Sequence, residues 1–455
     1  MSTKPLAIVI LAAGFGTRMK SSQAKVMHTL AGKPMINWLL ESCESLKPEK
    51  VVVVIGPEMP DLEKAVKPHI CVVQKVRDGT GGAVRTAMPA LEGFDGDVLI
   101  LLGDTPLITP ATLSALRVAK NDHALAILGC IMDNPHGYGR LILGQEGMLE
   151  NIVEEKDADP EQKAIRLVNT GAFCVDGAQL SGWLDQLDSN NAQNEFYITQ
   201  LPAIIREQGG VTAAAVIENP AEVKGCNTRT DLAALEKTLQ TRLREDLMNE
   251  GVYMQAPDTV YLWHDTKIAP DCIIEPNVYF GPGVTLESGV HIKAFSYLEG
   301  AHVKAGASVG PFARLRPDTK IGKNARIGNF VEIKKSTIGP GSKIGHLAYV
   351  GDTDMGEEVN FSAGAITVNY DGFQKHRTVI GKNVMVGSNV NLVAPVRIDD
   401  GAFVAAGSTI TEDVPANALS IARDPAEIRQ GWAAKYRKIK EAAQKKAKKQ
   451  RKKAS

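Results

Sequence analysis

The stretch Ile321-Gly-Lys-Asn-Ala-Arg-Ile-Gly-Asn-Phe-Val-Glu-Ile333 has an isoleucine at every sixth position. The same spacing of bulky apolar residues continues, with short slips of register, from Ile268 to Ile410. Glycine very often follows the aliphatic residue, and the fourth position after it is small or β-branched. Neither a helix nor an ordinary strand has a period of six. The pattern predicts short strands joined by tight turns, each stacked on the next, which is a parallel β-helix.

The chain before this array alternates continuous apolar runs with amphipathic segments. The runs of strand length are 6–12, 51–55, 98–102, 124–128 and 168–175. Segments with helical spacing, such as 34–46 and 110–120, lie between them. Strands that are apolar on both faces are typical of a parallel sheet covered by helices. This half of the chain is therefore predicted to be an α/β domain with ligands at the carboxyl ends of its strands.

Two further segments stand out from these patterns. Leucines on one helical face over 231–249 predict a helix that Gly251 ends, long enough to act as an arm between the two domains. The six-residue repeats (hexads) have one long interruption, the segment 367–377. A loop that leaves a solenoid usually lies on its binding face.

Length and composition favour a soluble, globular protein of two domains. The chain has 455 residues, 44% of them hydrophobic and 23% charged. We find no signal peptide and no apolar run that could span a membrane. Six scattered cysteines without a C-x-x-C pair predict reduced thiols without zinc, in a cytoplasmic protein.

The net charge is zero, but the segment 435–455 contains eleven Lys or Arg residues and a single acid, Glu441. One interpretation is a solvated, partly disordered tail. The other is a segment that attracts an anionic partner, such as coenzyme A phosphates or RNA. Nucleic acid is not expected as a partner of the protein as a whole.

The first candidate site follows the first apolar run, at Gly14-Phe-Gly-Thr-Arg18. Met19 excludes a dinucleotide fingerprint, because it stands where the third glycine is required. The loop is either a glycine turn without a ligand or a phosphate loop with Arg18 and Lys25 as cations. Asp104 ends another apolar run at the same predicted edge. It either caps the next turn or helps to hold Mg²⁺, and beside a phosphate loop we favour the metal.

The second candidate site centres on His346, which occupies a turn position of a hexad. A lone histidine in a turn is more often a surface residue than a catalytic base. The neighbouring polar residues favour a catalytic base, because Tyr349 and Asn360 are close to His346 in the sequence and Lys375 lies in the interrupting loop. Cations for a phosphate group would come from the two candidates Arg316 and Lys334.

Several motifs together carry a family resemblance. They are Leu11-Ala-Ala-Gly-x-Gly-Thr-Arg18-Met, Lys25-Val-Met-His, Gly-Thr-Gly81, Leu-x-Gly-Asp104-x-Pro-Leu, Gly-Tyr-Gly139-Arg, Val-Glu154-x-Lys-Asp, Asn169-Thr-Gly, Gly-x-Asn227, Gly-His346-Leu-x-Tyr349 and Asn369-Tyr-Asp-Gly. The first eight resemble the sugar-phosphate nucleotidyltransferases. With the hexads and the last two, the chain resembles the bacterial bifunctional N-acetylglucosamine-1-phosphate uridyltransferase/glucosamine-1-phosphate acetyltransferases, over nearly its full length except the basic tail.

The resemblance implies a Rossmann-like α/β nucleotidyltransferase domain with a mainly parallel sheet, followed by a left-handed parallel β-helix of hexapeptide repeats. The implied boundaries are 1–228 for the uridyltransferase domain, 229–251 for a helical linker, 252–434 for the acetyltransferase domain and 435–455 for a basic tail. It also implies a homotrimer that makes UDP-N-acetylglucosamine, a precursor of peptidoglycan and lipopolysaccharide, from UTP, acetyl-CoA as co-substrate and the two sugar phosphates.

For the uridylyl transfer, the resemblance implies that Arg18 and Lys25 face the triphosphate and act in catalysis, and that Asp104 and Asn227 bind Mg²⁺. The nucleotide and sugar would be held by Leu11, Ala12, Ala13, Gly14, Lys25, Gln74, Gly79, Thr80, Leu102, Gly103, Asp104, Gly139, Glu154, Asn169 and Asn227. One departure from the family is Ala24, which stands where proline is usual and leaves the approach to Lys25 less rigid. Phe15 replaces a residue that is often charged.

For the acetyl transfer, the resemblance implies that His346 is the general base. The sugar phosphate would be held by Arg316, Lys334, Tyr349, Asn360 and Lys375. The path of acetyl-CoA would be lined by Ala363, Asn369, Tyr370, Ser388, Ala406 and Arg423. Phe361-Ser-Ala-Gly-Ala departs from the usual Ile-Gly-Ala-Gly-Thr of the family, which affects the predicted contacts near Ser362.

Two other functions are compatible with this plan of domains. In one, the β-helix only oligomerises or senses a regulator, and His346 with the 367–377 loop argues against it. In the other, the chain is a non-catalytic regulatory subunit. The presence of four polar residues argues against that alternative, because a site without catalytic function has no physical reason to keep them. They are Arg18, Lys25, Asp104 and Asn227.

Overall fold

The computed structural model describes residues 4–144 and 147–454. Contacts divide them into two compact units. The first comprises the described residues up to Pro270, together with Pro276–Val284, and the second comprises Asp271–Glu275 and the described residues from Thr285 onward.

The α/β part of the first unit alternates strands and helices in the predicted manner. Its strands are β1 (Leu6–Ala12), β2 (Thr29–Leu30), β3 (Lys33–Pro34), β4 (Lys50–Ile55), β5 (Ile70–Val73), β6 (Asp97–Leu102), β7 (Leu125–Ile131), β8 (Arg140–Leu143), β9 (Leu149–Val153), β10 (Leu167–Asp176) and β11 (Thr212–Ile217). Its helices are α1 (Met35–Glu44), α2 (Pro60–Ala65), α3 (Thr80–Ala87), α4 (Pro110–Lys120), α5 (Pro160–Lys163), α6 (Gly177–Leu184), α7 (Leu201–Glu207) and α8 (Arg229–Asn249).

The main sheet has the strand order β11-β7-β10-β6-β1-β4-β5. Strand β1 pairs in parallel with β4 and β6, whereas β10 is antiparallel to both β6 and β7. Alternate residues of β1 enter different cores, Ile8 and Ile10 on one face and Ala7 and Val9 on the other. The prediction of a mainly parallel sheet buried on both faces is confirmed. Because β1, β4 and β6 run in one direction, their carboxyl ends meet at one edge.

Helix α8 begins two residues before the predicted 231–249 segment. Thr228 and Asp231 form a capping box at its start. The predicted leucine stripe is confirmed for four of its five residues, since Leu235 and Leu239 are buried in a core cluster and Leu232 and Leu243 pack against it. Two polar side chains, Gln240 and Arg244, are buried as well, which the stripe did not predict. Gln240 Nε2 donates to the Leu262 carbonyl at 2.7 Å, and Arg244 donates to another carbonyl of the same segment. Helical periodicity cannot show such pairing with a distant backbone segment.

Short strands continue through the hexad region. They are β12 (Tyr253–Met254), β13 (Lys267–Ile268), β14 (Ile273–Ile274), β15 (Tyr279–Phe280), β16 (Thr285–Leu286), β17 (His291–Ile292), β18 (Tyr297–Leu298), β19 (Ala301–Val303), β20 (Ser308–Val309), β21 (Arg314–Leu315), β22 (Thr319–Ile321), β23 (Arg326–Asn329), β24 (Glu332–Lys334), β25 (Thr337–Ile338), β26 (Lys343–His346), β27 (Tyr349–Gly351), β28 (Thr353–Met355), β29 (Asn360–Phe361), β30 (Ile366–Val368), β31 (Thr378–Ile380), β32 (Met385–Val386), β33 (Asn391–Val393), β34 (Val396–Ile398), β35 (Phe403–Val404), β36 (Thr409–Ile410) and β37 (Leu419–Ser420).

In the second unit these strands form parallel sheets in which every third strand is a neighbour. The successions are β14-β17-β20-β23-β26-β29-β32-β35-β37, β16-β19-β22-β25-β28-β31-β34 and β18-β21-β24-β27-β30-β33-β36. The hexad aliphatics stack in register, for example Ile327 on Ile344 and Ile344 on Phe361, all fully buried. A Cβ on Gly328 would lie 1.7 Å from the Gly345 carbonyl, so adjacent coils need glycine there. The predicted left-handed parallel β-helix is confirmed.

The basic C-terminal segment is helical, in α9 (Trp432–Ala454). The interpretation of 435–455 as partly disordered was therefore wrong over its described residues. Alanine, lysine, arginine and glutamine dominate the segment, and all four have high helix propensity, which outweighs the repulsion between its charges. Among the described residues, no helix is both long and apolar enough to cross a membrane.

Candidate active sites

The loop after β1 is shaped by a glycine and a lysine. Gly16 has φ +72°, and a Cβ there would lie 2.7 Å from Cβ of Lys25. Any other residue at this position would be strained and would push the lysine away. A short 3-10 turn, Thr17–Met19, follows and ends at Lys20 in the left-handed conformation. The loop therefore brings its backbone close to the lysine.

Four predicted polar residues converge in front of this loop. The Lys25 ammonium donates to Asp104 Oδ2 and, at 3.3 Å, to Asn227 Oδ1. Arg18 donates to the same Asn227 oxygen at 2.8 Å. The turn after β6 is closed by Thr105, whose hydroxyl donates to the Leu102 carbonyl at 2.8 Å. Asp104 thus turns toward the cations, and the alternative in which it caps that turn is not observed.

The Asp104 carboxylate and the Asn227 carbonyl oxygen fit a divalent cation. Both accept from the single Lys25 ammonium, so they already point at one shared positive charge. Among the described residues, no group of three or more His, Cys, Asp or Glu side chains could hold a metal by itself. Mg²⁺ commonly takes one or two protein oxygens and completes its shell with phosphate oxygens and water. The donor set suits a metal that arrives with phosphate.

Two adjoining cavities flank this cluster. The smaller, of about 310 Å³, is lined by the predicted nucleotide residues Leu11, Ala12, Ala13, Gly14, Lys25, Gln74, Gly79, Thr80, Leu102 and Asp104. The larger, of about 500 Å³, is lined by Gly139, Glu154, Asn169 and Asn227 among others, and it shares Leu11, Thr80, Leu102 and Asp104 with the first. Gly103 does not line either cavity. Its N–H donates to the Leu11 carbonyl at 2.9 Å and ties β6 to β1.

In the larger cavity, Glu154 is held by a residue that the sequence did not indicate. The Thr199 hydroxyl donates to Glu154 Oε1 at 3.1 Å. Burial raises the pKa of Glu154, and the hydrogen bond from Thr199 opposes that rise. Nearby, the Asn169 N–H donates to the Gly139 carbonyl at 2.8 Å. These bonds fix the positions of polar groups that line the larger cavity.

Arg140 connects two turns that line the same cavity. Its side chain is 1% exposed and donates to the Tyr138 carbonyl and, at 2.7 Å, to Glu155 Oε2. It therefore links the Gly137–Gly139 turn to the turn that carries Glu154. The arginine of the Gly-Tyr-Gly-Arg motif was visible in the sequence, but its pairing with the half-buried Glu155 was not.

At the mouth of the smaller cavity, Arg77 lies over Phe15. The guanidinium carbon is 4.8 Å from the centre of the ring. Phe15 stands where a charged residue is often found in the family, so Arg77 brings a positive charge back to this side of the phosphate loop. Sequence reasoning missed Arg77, because it precedes the Gly-Thr-Gly motif by two residues and lies in a different loop.

In the second unit, predicted residues stack along one corner of the β-helix. Hydrogen bonds between successive turns run from Gly364 N to the His346 carbonyl, from Asn389 N to the Ala363 carbonyl and from Gly407 N to the Ser388 carbonyl. Ala406 precedes Gly407, and a Cβ on Gly407 would lie 3.8 Å from Cδ of Arg423. The structure thus places on successive coils, along one corner of the β-helix, the residues His346, Ala363, Ser388, Ala406 and Arg423.

His346 is exposed, and its ring is oriented by the residue one coil earlier. Asn329 is its register partner in the sheet, and the Asn329 Oδ1 oxygen is hydrogen bonded to His346 Nδ1. An amide oxygen can only accept, so the bond places the proton on Nδ1 and leaves Nε2 with a lone pair. Sequence reasoning missed Asn329. The signal that could have found it is its place 17 residues, one coil, before the histidine.

Three of the predicted cations of this unit form a cluster. Lys375 lies beside Lys334 and lowers the pKa of that lysine, with burial and Arg316 acting in the same direction. Asp352 Oδ2, at 4.0 Å from the Lys334 ammonium, partly offsets the effect. Arg316 is paired with Glu332 at 2.9 Å. An accumulation of cations that lowers a lysine pKa favours the binding of an anion such as phosphate.

Further predicted residues of this unit have their own hydrogen bonds and close contacts. Asn369 donates to Asp352 Oδ2 at 2.5 Å, and a Cβ on Gly351 would lie 2.5 Å from the Tyr349 hydroxyl and 2.7 Å from Asn369 Nδ2. Asn360 donates to the Ser362 hydroxyl at 3.0 Å, so the residue that departs from the family pattern holds a predicted sugar ligand.

The 367–377 loop is closed at its base by Tyr370 and Lys375. These two residues form an isolated antiparallel bridge, and the exposed Tyr370 donates its hydroxyl to the Gly372 carbonyl at 2.7 Å. Asp371 accepts from Gln374 N and from Phe373 N, and these bonds together with His376 lower its pKa. The structure does not bring Tyr370 into contact with His346.

Comparisons with known proteins agree with both halves of the chain. The model of a MobA-like NTP transferase domain matches residues 8–164, and that of the bacterial transferase hexapeptide (six repeats) matches 265–300, 300–335 and 377–412. The chain is 48% identical over 452 residues to the Bifunctional protein GlmU of Paramagnetospirillum magneticum, covering 99% of this chain and 100% of that one. Proteins of the same name are similar in Maricaulis maris (50% identity, 95% and 96% coverage) and Zymomonas mobilis (44%, 96% and 98%).

Proposed function

The chain belongs to the GlmU family of bifunctional proteins, and from that premise we propose that it makes UDP-N-acetylglucosamine in two steps. First, glucosamine-1-phosphate takes the acetyl group of acetyl-CoA. Then N-acetylglucosamine-1-phosphate takes the uridylyl group of UTP, and pyrophosphate leaves. The observation that carries the proposal is that each unit has its own polar cluster, suited to one of these reactions.

For acetyl transfer, His346 is the general base. Its Nε2 takes a proton from the 2-amino group as the nitrogen attacks the thioester carbon. The C–S bond then breaks, and the coenzyme A sulfur leaves with the proton returned by the imidazolium. Arg316, Lys334 and Lys375 hold the sugar phosphate. Backbone N–H groups near Ala363, one coil from the histidine, are suited to stabilise the tetrahedral oxyanion.

Around these groups, the remaining predicted residues have supporting roles. Tyr349 and Asn360 complete the site for the sugar. Acetyl-CoA lies along this corner of the β-helix, against Ala363, Asn369, Tyr370, Ser388, Ala406 and Arg423.

For uridylyl transfer, no covalent enzyme intermediate is needed. The phosphate oxygen of N-acetylglucosamine-1-phosphate attacks the α-phosphorus of UTP in line, and the bond to the pyrophosphate oxygen breaks. Arg18 and Lys25 neutralise charge on the triphosphate. For this, Lys25 exchanges its bond to Asp104 for phosphate oxygens. Mg²⁺ held by Asp104 and Asn227 would neutralise further charge on the phosphates when bound.

The two cavities of the first unit divide the substrates of this second step. The uracil and ribose occupy the smaller cavity, against Leu11–Gly14, Gln74, Gly79, Thr80 and Leu102, and Gly103 supports this site through its bond to the Leu11 carbonyl. The sugar occupies the larger one, where Gly139, Glu154 and Asn169 bind its polar groups.

We also propose the coarser organisation that follows from the family. The uridyltransferase domain spans 1–228, the linker 229–251, the acetyltransferase domain 252–434 and the basic segment 435–455. Parallel β-helices of hexapeptide repeats commonly assemble as trimers, so a homotrimer in the cytoplasm, where UTP and acetyl-CoA are made, is the working state. A purified monomer with full acetyltransferase activity would contradict the trimer.

The decisive experiment incubates the protein with glucosamine-1-phosphate, acetyl-CoA, UTP and Mg²⁺ and follows UDP-N-acetylglucosamine by chromatography. Omitting acetyl-CoA must abolish the product, and adding N-acetylglucosamine-1-phosphate must then restore it. Omitting Mg²⁺ must leave N-acetylglucosamine-1-phosphate as the end product. If no UDP-sugar forms in the complete mixture, the proposed function is wrong. If Mg²⁺ is dispensable, only the metal assignment fails.

A further inference from the structure

Helix α9 presents an apolar stripe that no other part of the described chain covers. Trp432, Tyr436 and Ile439 follow one another at helical spacing and are 54%, 45% and 58% exposed. Ala443 and Ala447 continue the same face. The rings of Trp432 and Tyr436 stack with their centres 5.0 Å apart. The stripe is ordered within the helix, yet residues 432–450 are all exposed.

The rest of the helix surface is strongly cationic. Between residues 435 and 450 there are eight Lys or Arg side chains and one acid, Glu441. Lys440 borders the apolar stripe, with its ammonium 5.3 Å from the centre of the Tyr436 ring. A lysine at such a border can lay its hydrocarbon stem along apolar surface and keep its charge at a polar boundary. The helix is thus apolar on one side and positive around the remainder.

The combination of an apolar stripe with a cationic surface favours some anionic partners of the helix over others. A nucleic acid would attract the lysines, but it would bind aromatic rings through free faces for base stacking, and Trp432 and Tyr436 stack on each other. It would also leave the aliphatic Ile439 without a role. An amphipathic helix with basic residues on one face and Trp, Tyr and Ile on the other is suited to the boundary between anionic headgroups and acyl chains.

We propose that α9 is an interfacial helix that binds the surface of bilayers containing anionic phospholipid. The stripe of Trp432, Tyr436 and Ile439 enters the headgroup boundary, and the surrounding lysines pair with lipid phosphates. The helix lies in the plane of the surface, because charges surround the rest of its circumference. The residues assigned to the two reactions are outside this helix, so the attachment is separate from catalysis and does not depend on the proposed function.

The test is co-sedimentation of the full chain with lipid vesicles. Binding to vesicles that contain phosphatidylglycerol is expected to be at least about tenfold tighter than to phosphatidylcholine alone. A variant with Trp432→Ser, Tyr436→Ser and Ile439→Ser keeps every charge and is expected to lose about tenfold in affinity. The matched control, Ala434→Ser with Gln444→Ser, changes residues outside the stripe and is expected to bind as the parent does. Both variants should keep the parent's enzymatic activity, which shows that they fold.

Three outcomes would overturn the proposal. Equal affinity for the two kinds of vesicle would remove the role of the charges. Equal affinity of the apolar-face variant and its control would mean that the stripe does not enter the bilayer. Tighter binding to a single-stranded RNA than to phosphatidylglycerol vesicles, with the RNA displacing the vesicles, would identify nucleic acid as the partner instead.

Discussion

The two sites are assembled in different ways. In the α/β domain, Arg18 meets Asn227 across 209 residues of sequence, because parallel strands deliver their carboxyl ends to one edge. In the β-helix, His346 meets Asn329 across 17 residues, because each coil repeats the position of the one before. The first site therefore depends on the topology of the whole domain, and the second on the local period. A small change of register should damage the second site without affecting the first.

Their electrostatics differ as well. In the first site, Lys25 and Arg18 already have partners, Asp104 and Asn227, which the phosphates of the proposed substrate would have to replace. In the second, Lys334 and Lys375 crowd together, and the pKa of Lys334 is lowered as a result. In the first cluster the carboxylate of Asp104 already neutralises Lys25, whereas in the second cluster neighbouring cations disfavour the protonated form of Lys334, an effect that a bound anion would relieve. Four predictions test this contrast.

The largest effect is expected for Asp104→Ala. The change removes the carboxylate that pairs with Lys25 and is proposed to hold Mg²⁺, so uridylyl transfer should fall by about three orders of magnitude. Acetyl transfer should remain within about twofold, since no residue of the second cluster is altered. Coupled assays for pyrophosphate and for free coenzyme A measure the two rates on one preparation.

A surface variant, Asp61→Ala, is the control for Asp104, because it removes an exposed carboxylate of the same domain. Loss of both activities in a folded Asp104→Ala protein would refute the separation of the sites.

The next largest effect is expected for His346→Ala. Loss of the general base should lower acetyl transfer by about two orders of magnitude or more and leave uridylyl transfer unchanged. The matched control is His302→Ala, which removes a histidine paired with Glu287 on another sheet of the β-helix. A decrease of less than about threefold at saturating substrate would exclude His346 as the base.

A smaller effect is expected for Asn329→Leu. The leucine cannot accept the Nδ1 proton, so His346 loses its fixed tautomer, and kcat of acetyl transfer should fall by about tenfold, the equivalent of one hydrogen bond. The KM for the sugar should stay unchanged, because Asn329 is not among the phosphate ligands. Asn329→Asp keeps an acceptor and should retain more activity, with the alkaline shift of the pH profile that a carboxylate gives to a histidine. Equal losses in both variants, without a shift, would reduce Asn329 to a packing role.

The architecture could be predicted because it depends on patterns that repeat. Strand β1 begins and ends at the predicted residues, and so does helix α4, since apolar runs and proline at a helix start are local signals. The β-helix followed from its period. The basic C-terminal segment was misjudged over its described residues, because charge density was weighted above the helix propensity of its alanines and lysines.

Only some of the site residues could be predicted from the sequence. Motifs indicated Lys25, Asp104 and His346, because a chemical group at a strand end or in a turn leaves a sequence signal. Thr199, which holds Glu154, leaves none, since its role depends on which side chain lies opposite in space. Asn329, which orients His346, is indicated only by its place one coil before the histidine. The departure at Phe15 could be explained only when Arg77 was found over its ring.

The smallest effect concerns pH and the cations of the second site. In the proposed mechanism a sugar phosphate binds to the protonated form of Lys334, whose pKa is lowered chiefly by Lys375. The KM for glucosamine-1-phosphate should therefore rise with pH before an ordinary lysine would lose its proton. Lys375→Met removes the main cause of the lowered pKa, so the rise, expressed relative to KM at neutral pH, should move to higher pH. Lys375→Arg keeps the charge and should leave the rise closer to its original position. If the rise has the same position in all three proteins, the cations are not electrostatically coupled, and the contrast between the two sites is reduced to their topology.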